Sequence, residues 1–159
     1  NVKYSDIIQY LGWLSKLTGY SYRLPSESEW EYAAMADNRN IYSQETRLKK
    51  GLGNCRDCET KWSGIKSAPV GQFPPNSFGL HDMLGNVFEY VQDCWTKNRT
   101  PPPANGLPLV WENCPSKVIK GGAWYYLSKA AHPRFRARNN INFASYIVGF
   151  RVLGEMKQK

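Results

Sequence analysis

From His81 to Trp95 the chain reads HDMLGNVFEYVQDCW. The oxygen-bearing side chains of Asp82, Asn86, Glu89 and Asp93 stand close together there, among Met, Leu, Val, Phe, Tyr and Trp. Glycine and asparagine admit backbone turns with positive φ. A turn at Gly85-Asn86 can aim carbonyl oxygens inward, and Asp82 and Glu89 can add carboxylates. That donor set suits a hard cation such as Ca²⁺. The same residues also suit a hydrogen-bonded turn without metal. A fully liganded calcium leaves no open position for chemistry, so either reading is structural.

The other chemistry-bearing residues are the cysteines, Cys55, Cys58, Cys94 and Cys114. The first pair forms CxxC within GNCRDCET. A zinc site wants a second CxxC or paired histidines. The other two cysteines are 20 residues apart, and the histidines are His81 and His132. A thioredoxin-like CxxC wants a strand before it and a helix after it, whereas Gly51, Gly53 and a polar loop flank this one. Two disulfides, Cys55–Cys58 and Cys94–Cys114, are the first expectation, and they would place the protein in an oxidising compartment. Free thiols, or a metal site drawing on all four cysteines, are the alternatives. His132 is of acid–base type, yet beside Pro133 it reads more simply as an exposed loop residue.

These residues need a scaffold. The 159 residues suit one domain with a real core, and 42% are hydrophobic. No apolar run approaches the roughly 20 residues that span a bilayer, and the start NVKYSDIIQ does not resemble a signal peptide. The net charge is +8. Through Cys114 there are 12 Lys+Arg and 12 Asp+Glu; from Pro115 onward, nine basic residues face one acid. The excess could form a face for anionic partners. It could equally pair with earlier acids such as Glu27, Glu29 and Glu31, which is the expectation for at least half of Arg134, Arg136, Arg138 and Arg151. No nucleic-acid motif is present, so nucleic acid is not an expected partner.

Ser5 and Asp6 can cap a helix with an apolar face of Ile7, Ile8, Tyr10, Leu11, Leu14 and Leu17, ended by Gly19. Ser26 and Glu29 form a capping box for a second helix that buries Trp30, Ala33 and Ala34. From Asp37 to Cys114 the chain reads as loop, rich in Gly, Pro and Asn. Short strands are expected over Lys117–Lys120, part of Ala123–Tyr126, and Gly149–Leu153. An irregular body of this kind needs help to stay ordered, and disulfides and a structural cation supply it.

Four words occur in order: RLPSESEWEYAA, APVGQFPPNSFGLHDMLGNVFEYVQDCW, KVIKGGAW and GFRV. Together they resemble the formylglycine-generating-enzyme family, also called the sulfatase-modifying-factor domain, over residues 1 to 153. The resemblance implies an α+β fold related to C-type lectins, with two early helices and little regular β structure. It implies a structural calcium held by the Asp82 and Glu89 side chains and the Gly85 and Val87 carbonyls. A second family calcium site falls around residues 54 to 64, where CRDCETKW does not preserve it. Family domains usually carry strands before the part resembling NVKYSDIIQYLGWLS. The chain therefore resembles the C-terminal two-thirds of one domain, residues 1–159, and a separate chain or segment would complete it.

The family's oxidases use two cysteines between their GGSW-like and GFR-like words. The matching stretch here, AWYYLSKAAHPRFRARNNINFASYIVGFR, has none. An iron-binding branch needs three histidines, and this chain has two. The substrate cleft of the enzymes falls in this neighbourhood. The resemblance thus implies a ligand-facing set of Trp124, Tyr126, His132, Phe135, Asn139, Asn140 and Phe143, although its aromatics would equally serve as core. The expected function is a non-catalytic module that binds a protein or small-molecule ligand in the periplasm or at the cell surface, as an envelope accessory or surface-recognition protein. The alternative is an oxidoreductase or maturation enzyme with a non-cysteine site.

Overall fold

The computed structural model describes residues 1–36, 48, 50–97 and 103–155. The elements run α1 (Tyr4–Thr18), β1 (Ser21–Arg23), α2 (Glu27–Met35), β2 (Phe88–Cys94), β3 (Ser116–Lys120), a 3₁₀ turn (Ser128–Ala131), β4 (Ala137–Asn140), β5 (Val148–Phe150) and β6 (Leu153–Glu155). This is the α+β class expected, with both early helices in place.

Helix α1 starts earlier than its polar residues imply. Lys3 is the N-cap, and its backbone N–H donates to Asp6 Oδ2 at 2.9 Å. Gly19 ends the helix at φ 74°, a left-handed conformation that glycine adopts without strain. The buried stripe is narrower than the apolar pattern. Ile7 and Leu11 are buried, whereas Ile8, Tyr10 and Leu17 are exposed, as is Trp13. Helix α2 follows its sequence closely: Ser26 Oγ accepts the Glu29 N–H at 3.1 Å, and Glu29 Oε2 accepts the Ser26 N–H at 2.7 Å. Trp30 and Ala34 are buried.

Strands β4-β3-β2-β5 form one sheet, antiparallel except for the parallel β2–β5 pair, and β1 and β6 form a second, antiparallel pair. Strand β2 is central and covered on both faces. Phe88 and Tyr90 join Ile7, Leu11, Leu24, Ile119 and Val148 in one cluster. Val91 points the other way, into a cluster with Trp30, Ala34, Met83 and Val118. The period-2 pleat of the strand makes this division. Each such large side chain contributes about 1.5–3 kcal/mol by burial. Two strand readings need correction. Residues Ala123–Tyr126 form a turn, and the Gly149–Leu153 segment breaks at Arg151-Val152 into the ends of two different strands. Strand β2 itself lies where the chain reads as loop. The rest of that loop reading between Asp37 and Cys114 lies partly outside the described residues.

The face of β3 toward α2 holds an ionic cluster. Lys120 is fully buried, with Nζ 2.7 Å from Glu31 Oε1 and 3.4 Å from Glu27 Oε1. Arg136 Nε lies 2.7 Å from Glu27 Oε1. Burial pulls the Lys120 ammonium below its usual pKa, and the two glutamates oppose that pull. Arg151 pairs with Glu89. Thus Arg136 and Arg151 are neutralised by acids from the first half, while Arg134 and Arg138 meet no carboxylate among the described residues. Both expected disulfides are formed, Cys55–Cys58 and Cys94–Cys114, and no cysteine is free.

Candidate functional site

The turn that precedes β2 is built by left-handed backbone at Asp82 (φ 57°), Gly85 (φ 84°) and Asn86 (φ 66°). Only glycine fits at 85, because a Cβ there would lie 2.2 Å from the Asn54 carbonyl oxygen. Asn86 is buried and clamps the neighbouring strand of chain, with Oδ1 accepting the Ala68 N–H at 2.8 Å and Nδ2 donating to the Ala68 carbonyl at 3.2 Å. Asp82, Gly85, Val87 and Glu89 all line one cavity of about 440 Å³, whose other walls include Val70, Gly71, Asn86 and Arg151. The sequence thus names four residues that the fold does bring together.

Their donor atoms are not equally available. Asp82 Oδ2 accepts the Gly71 N–H at 2.7 Å, while Oδ1 is buried with no hydrogen-bond partner among the described residues. A buried oxygen without a donor is costly, and a hard cation would relieve it. Glu89 is more committed. Its Oε2 accepts from Trp30 Nε1 and Arg151 Nε, each at 2.7 Å, and its Oε1 accepts from Arg151 Nη2 at 2.7 Å. Burial alone would lower the Arg151 pKa; the Glu89 hydrogen bond and charge, with the Asp82 charge, raise it instead. Of the four residues, Asp82 holds the oxygen left open to a cation, whereas the Glu89 carboxylate is already engaged by Arg151 and Trp30. The charge distribution predicts that arginines such as Arg151 meet acids of the first half, but no local pattern singles out Glu89, 62 residues away.

A second constellation links the CRDC loop to the segment after Gly122. The Arg56 N–H donates to the Tyr126 carbonyl at 2.8 Å, and the Gly64 N–H to the Trp124 carbonyl at 3.1 Å. Asp57 accepts from the Ser128 N–H at 2.6 Å and from its hydroxyl at 3.0 Å. Held in this way, Trp124 packs on Tyr125 and Tyr146 with ring centroids 5.6 and 5.9 Å apart, and Tyr125 meets Tyr126 at 6.1 Å. The Arg56 guanidinium lies 4.9 Å over the Tyr125 ring. Tyr125, Tyr126 and Tyr146 are exposed. Glycine is required beneath them: a Cβ on Gly122 would lie 2.8 Å from the Ala131 backbone nitrogen.

The seven residues of the implied ligand-facing set fall in different surroundings. Trp124 and Tyr126 belong to this aromatic face. Phe135 packs against the core through Phe88, which also meets Tyr126 at 5.3 Å. His132 accepts the Arg134 N–H at 3.0 Å and is half-buried. Asn139 is tied to the Tyr90 hydroxyl and the Phe143 carbonyl, the Asn140 carbonyl accepts from Tyr90, and Phe143 is exposed on the turn after β4. Tyr125 and Tyr146 are members of the face that the set omits. Tyr125 was legible as the neighbour in the WYY word, but nothing local marks Tyr146.

The fold and the turn define an α+β domain of the formylglycine-generating-enzyme type. The model of the sulfatase-modifying factor enzyme 1-like domain matches residues 1–156, and the chain belongs to that family. The chain is 30% identical to a formylglycine-generating enzyme of Mycobacterium tuberculosis, over 97% of this chain and 56% of that protein. It is 30% identical to the serine/threonine-protein kinase Pkn1 of Chlamydia trachomatis, over 93% of this chain and 22% of that protein. Among solved structures, PvdO from Pseudomonas aeruginosa superposes with a TM-score of 0.85 at 32% identity, covering 98% of this chain and 60% of that one. The chain therefore spans little more than half, or less, of the curated relatives it matches. The two disulfides suit an oxidising compartment, and no helix among the described residues is long and apolar enough to cross a membrane.

Proposed function

We propose that this chain is a non-catalytic binding module on the formylglycine-generating-enzyme scaffold, acting outside the cytoplasm as an envelope accessory or surface-recognition protein. One observation carries the reading. Every cysteine of the chain is committed to a disulfide and none falls within residues 121–151, while that stretch presents exposed Tyr125, Tyr126 and Tyr146 around a half-buried Trp124. Rigid aromatics bury much area at little entropic cost, the property of binding surfaces. The match to part of a protein named as a kinase supports a domain that serves in more than one role. A structural Ca²⁺ at Asp82, Gly85, Val87 and Glu89 is part of the proposal. So is a further segment or chain packed on α1, supported by the exposure of Ile8, Trp13, Leu17 and Tyr20.

Two measurements on the oxidised protein test it. Incubated with Cu⁺, oxygen and a cysteine-containing peptide, the chain is expected to leave the peptide mass unchanged; formation of formylglycine would end the reading. Peptide and glycan arrays are then probed with the wild type and with a Tyr125→Ser/Tyr146→Ser variant. Ligands bound by the first and lost by the second are expected, and an array profile indifferent to those tyrosines counts against the aromatic face.

A further inference from the structure

The CRDC loop gathers two sulfurs and a carboxylate at one place. Cys55 Sγ, Cys58 Sγ and an Asp57 carboxylate oxygen lie within 4.8 Å of one another. The Cys58 N–H bonds back to the Cys55 carbonyl at 3.3 Å, closing the turn that brings the sulfurs to one place. A two-residue spacer is the spacing at which two thiolates meet one tetrahedral ion. Asp57 is already oriented, because the Ser128 N–H and hydroxyl hold both its oxygens. Hydrogen bonds of that kind fix a metal-binding carboxylate and leave it lone pairs for the ion. The other disulfide lacks these features: Cys94 Sγ lies 3.4 Å from Lys117 Nζ, a neighbour that disfavours a second cation.

We propose that the CRDC loop is a soft-metal site held closed as a disulfide: once reduced, the Cys55 and Cys58 thiolates and the Asp57 carboxylate bind one thiophilic d¹⁰ cation, with solvent in the fourth position. Opening it takes a dithiol donor. The donor's two sulfurs give up two electrons and close into their own disulfide. The Cys55–Cys58 bond breaks, and each protein sulfur takes one proton from the donor. A divalent ion then releases both thiol protons to solvent as the two metal–sulfur bonds form. Disulfide and metal are alternative clamps on one loop, and each keeps Arg56 against Tyr126 and Asp57 against Ser128. The proposal stands independently of the ligand assigned to the aromatic face.

The whole chain, opened with a phosphine reductant, is titrated with Cd²⁺ alone. One Cd²⁺ per chain by native mass spectrometry is expected, with a thiolate-to-cadmium absorption band. Asp57→Asn is expected to bind about tenfold more weakly or worse, and Cys55→Ser to lose the band, with Cys58→Ser as the second variant and circular dichroism verifying the fold of each. The proposal is overturned by a reduced wild type that takes up no stoichiometric Cd²⁺, or by a band that survives both serine variants. Binding indifferent to Asp57→Asn overturns the three-donor geometry. A Cys55–Cys58 bond that the phosphine cannot open in the folded chain overturns it as well.

Discussion

The α2–β2–β3 block and the turn-rich segment from Gly53 to Asn86 solve one problem in opposite ways. In the block, backbone polar groups are satisfied by helix and ladder, so side chains are free to fill the space between layers. Even its charges are buried and paired, as Lys120 is with Glu27 and Glu31. In the segment, side chains do what the ladder does elsewhere. Asn86 clamps Ala68, Asn76 Oδ1 accepts the Phe78 and Leu80 N–H groups, Asp57 holds Ser128, and a disulfide closes Cys55 on Cys58. The block is robust because its contacts are many. The segment is specific because each of its clamps is a single residue, and such places can carry a site.

The comparison breaks most plainly at Lys120. Removing one member of a buried ion cluster strands the others, so Lys120→Met is expected to cost about 3–5 kcal/mol in urea unfolding. A loss below about 1 kcal/mol would mean the cluster is not what fixes α2 on β3. The disulfides come next. In the chain-entropy account the bridge that closes the longer loop, Cys94–Cys114, stabilises by about 3 kcal/mol and Cys55–Cys58 by about 2 kcal/mol. Double alanine variants, compared by thermal melting, should rank in that order. The reverse order would assign the turn segment more of the global stability than its clamps imply.

Calcium sharpens the contrast from the side of the segment. A site with its ligand at a hundredfold excess over Kd gains about 2.7 kcal/mol, so calcorimetric Tm should rise with added Ca²⁺ in the wild type. Asp82→Asn, which keeps an oxygen but removes the charge, should shrink the rise. An unchanged Tm in both would remove the cation from the account.

The smallest effect is the acid limb. The Arg23 fork holds the Glu29 carboxyl below the usual Glu range, with the Ser26 N–H assisting against burial. A depressed pKa contributes stability above the unfolded value, and that contribution is lost as pH falls through the folded one. Wild-type Tm should therefore drop below about pH 4.3, and Glu29→Gln should flatten that drop while lowering Tm at neutral pH. A limb of equal slope in both would locate acid sensitivity elsewhere.

Legibility followed the same division. The capping box of Ser26 and Glu29, the stop at Gly19 and the pairing of the cysteines were readable because each is set by neighbours in the chain or by simple elimination among few partners. Strand β2 was not readable. Being covered on both faces it shows no polar–apolar alternation, and its buried Glu89 and Asp93 mimic a loop. The meeting of Asp82, Gly85, Val87 and Glu89 at one cavity was readable because one short word holds them. The dispersion of Trp124, Phe135, Asn139 and Phe143 over separate surroundings was not, because β4 lies across β3 from the aromatic face's neighbours on β2 and β5.

What the sequence by itself determined are the local choices: two capped helices, left-handed turns at glycine and asparagine, and the chemistry each short word can offer. What only the tertiary structure decided is which of those offers are already taken. Arg151 claims Glu89, Lys120 claims Glu31, and Ser128 claims Asp57, across 62, 89 and 71 residues. A side chain's donors and acceptors are read from its letter, but their availability depends on partners that only folding brings within 3 Å or so, and no local pattern records those partners.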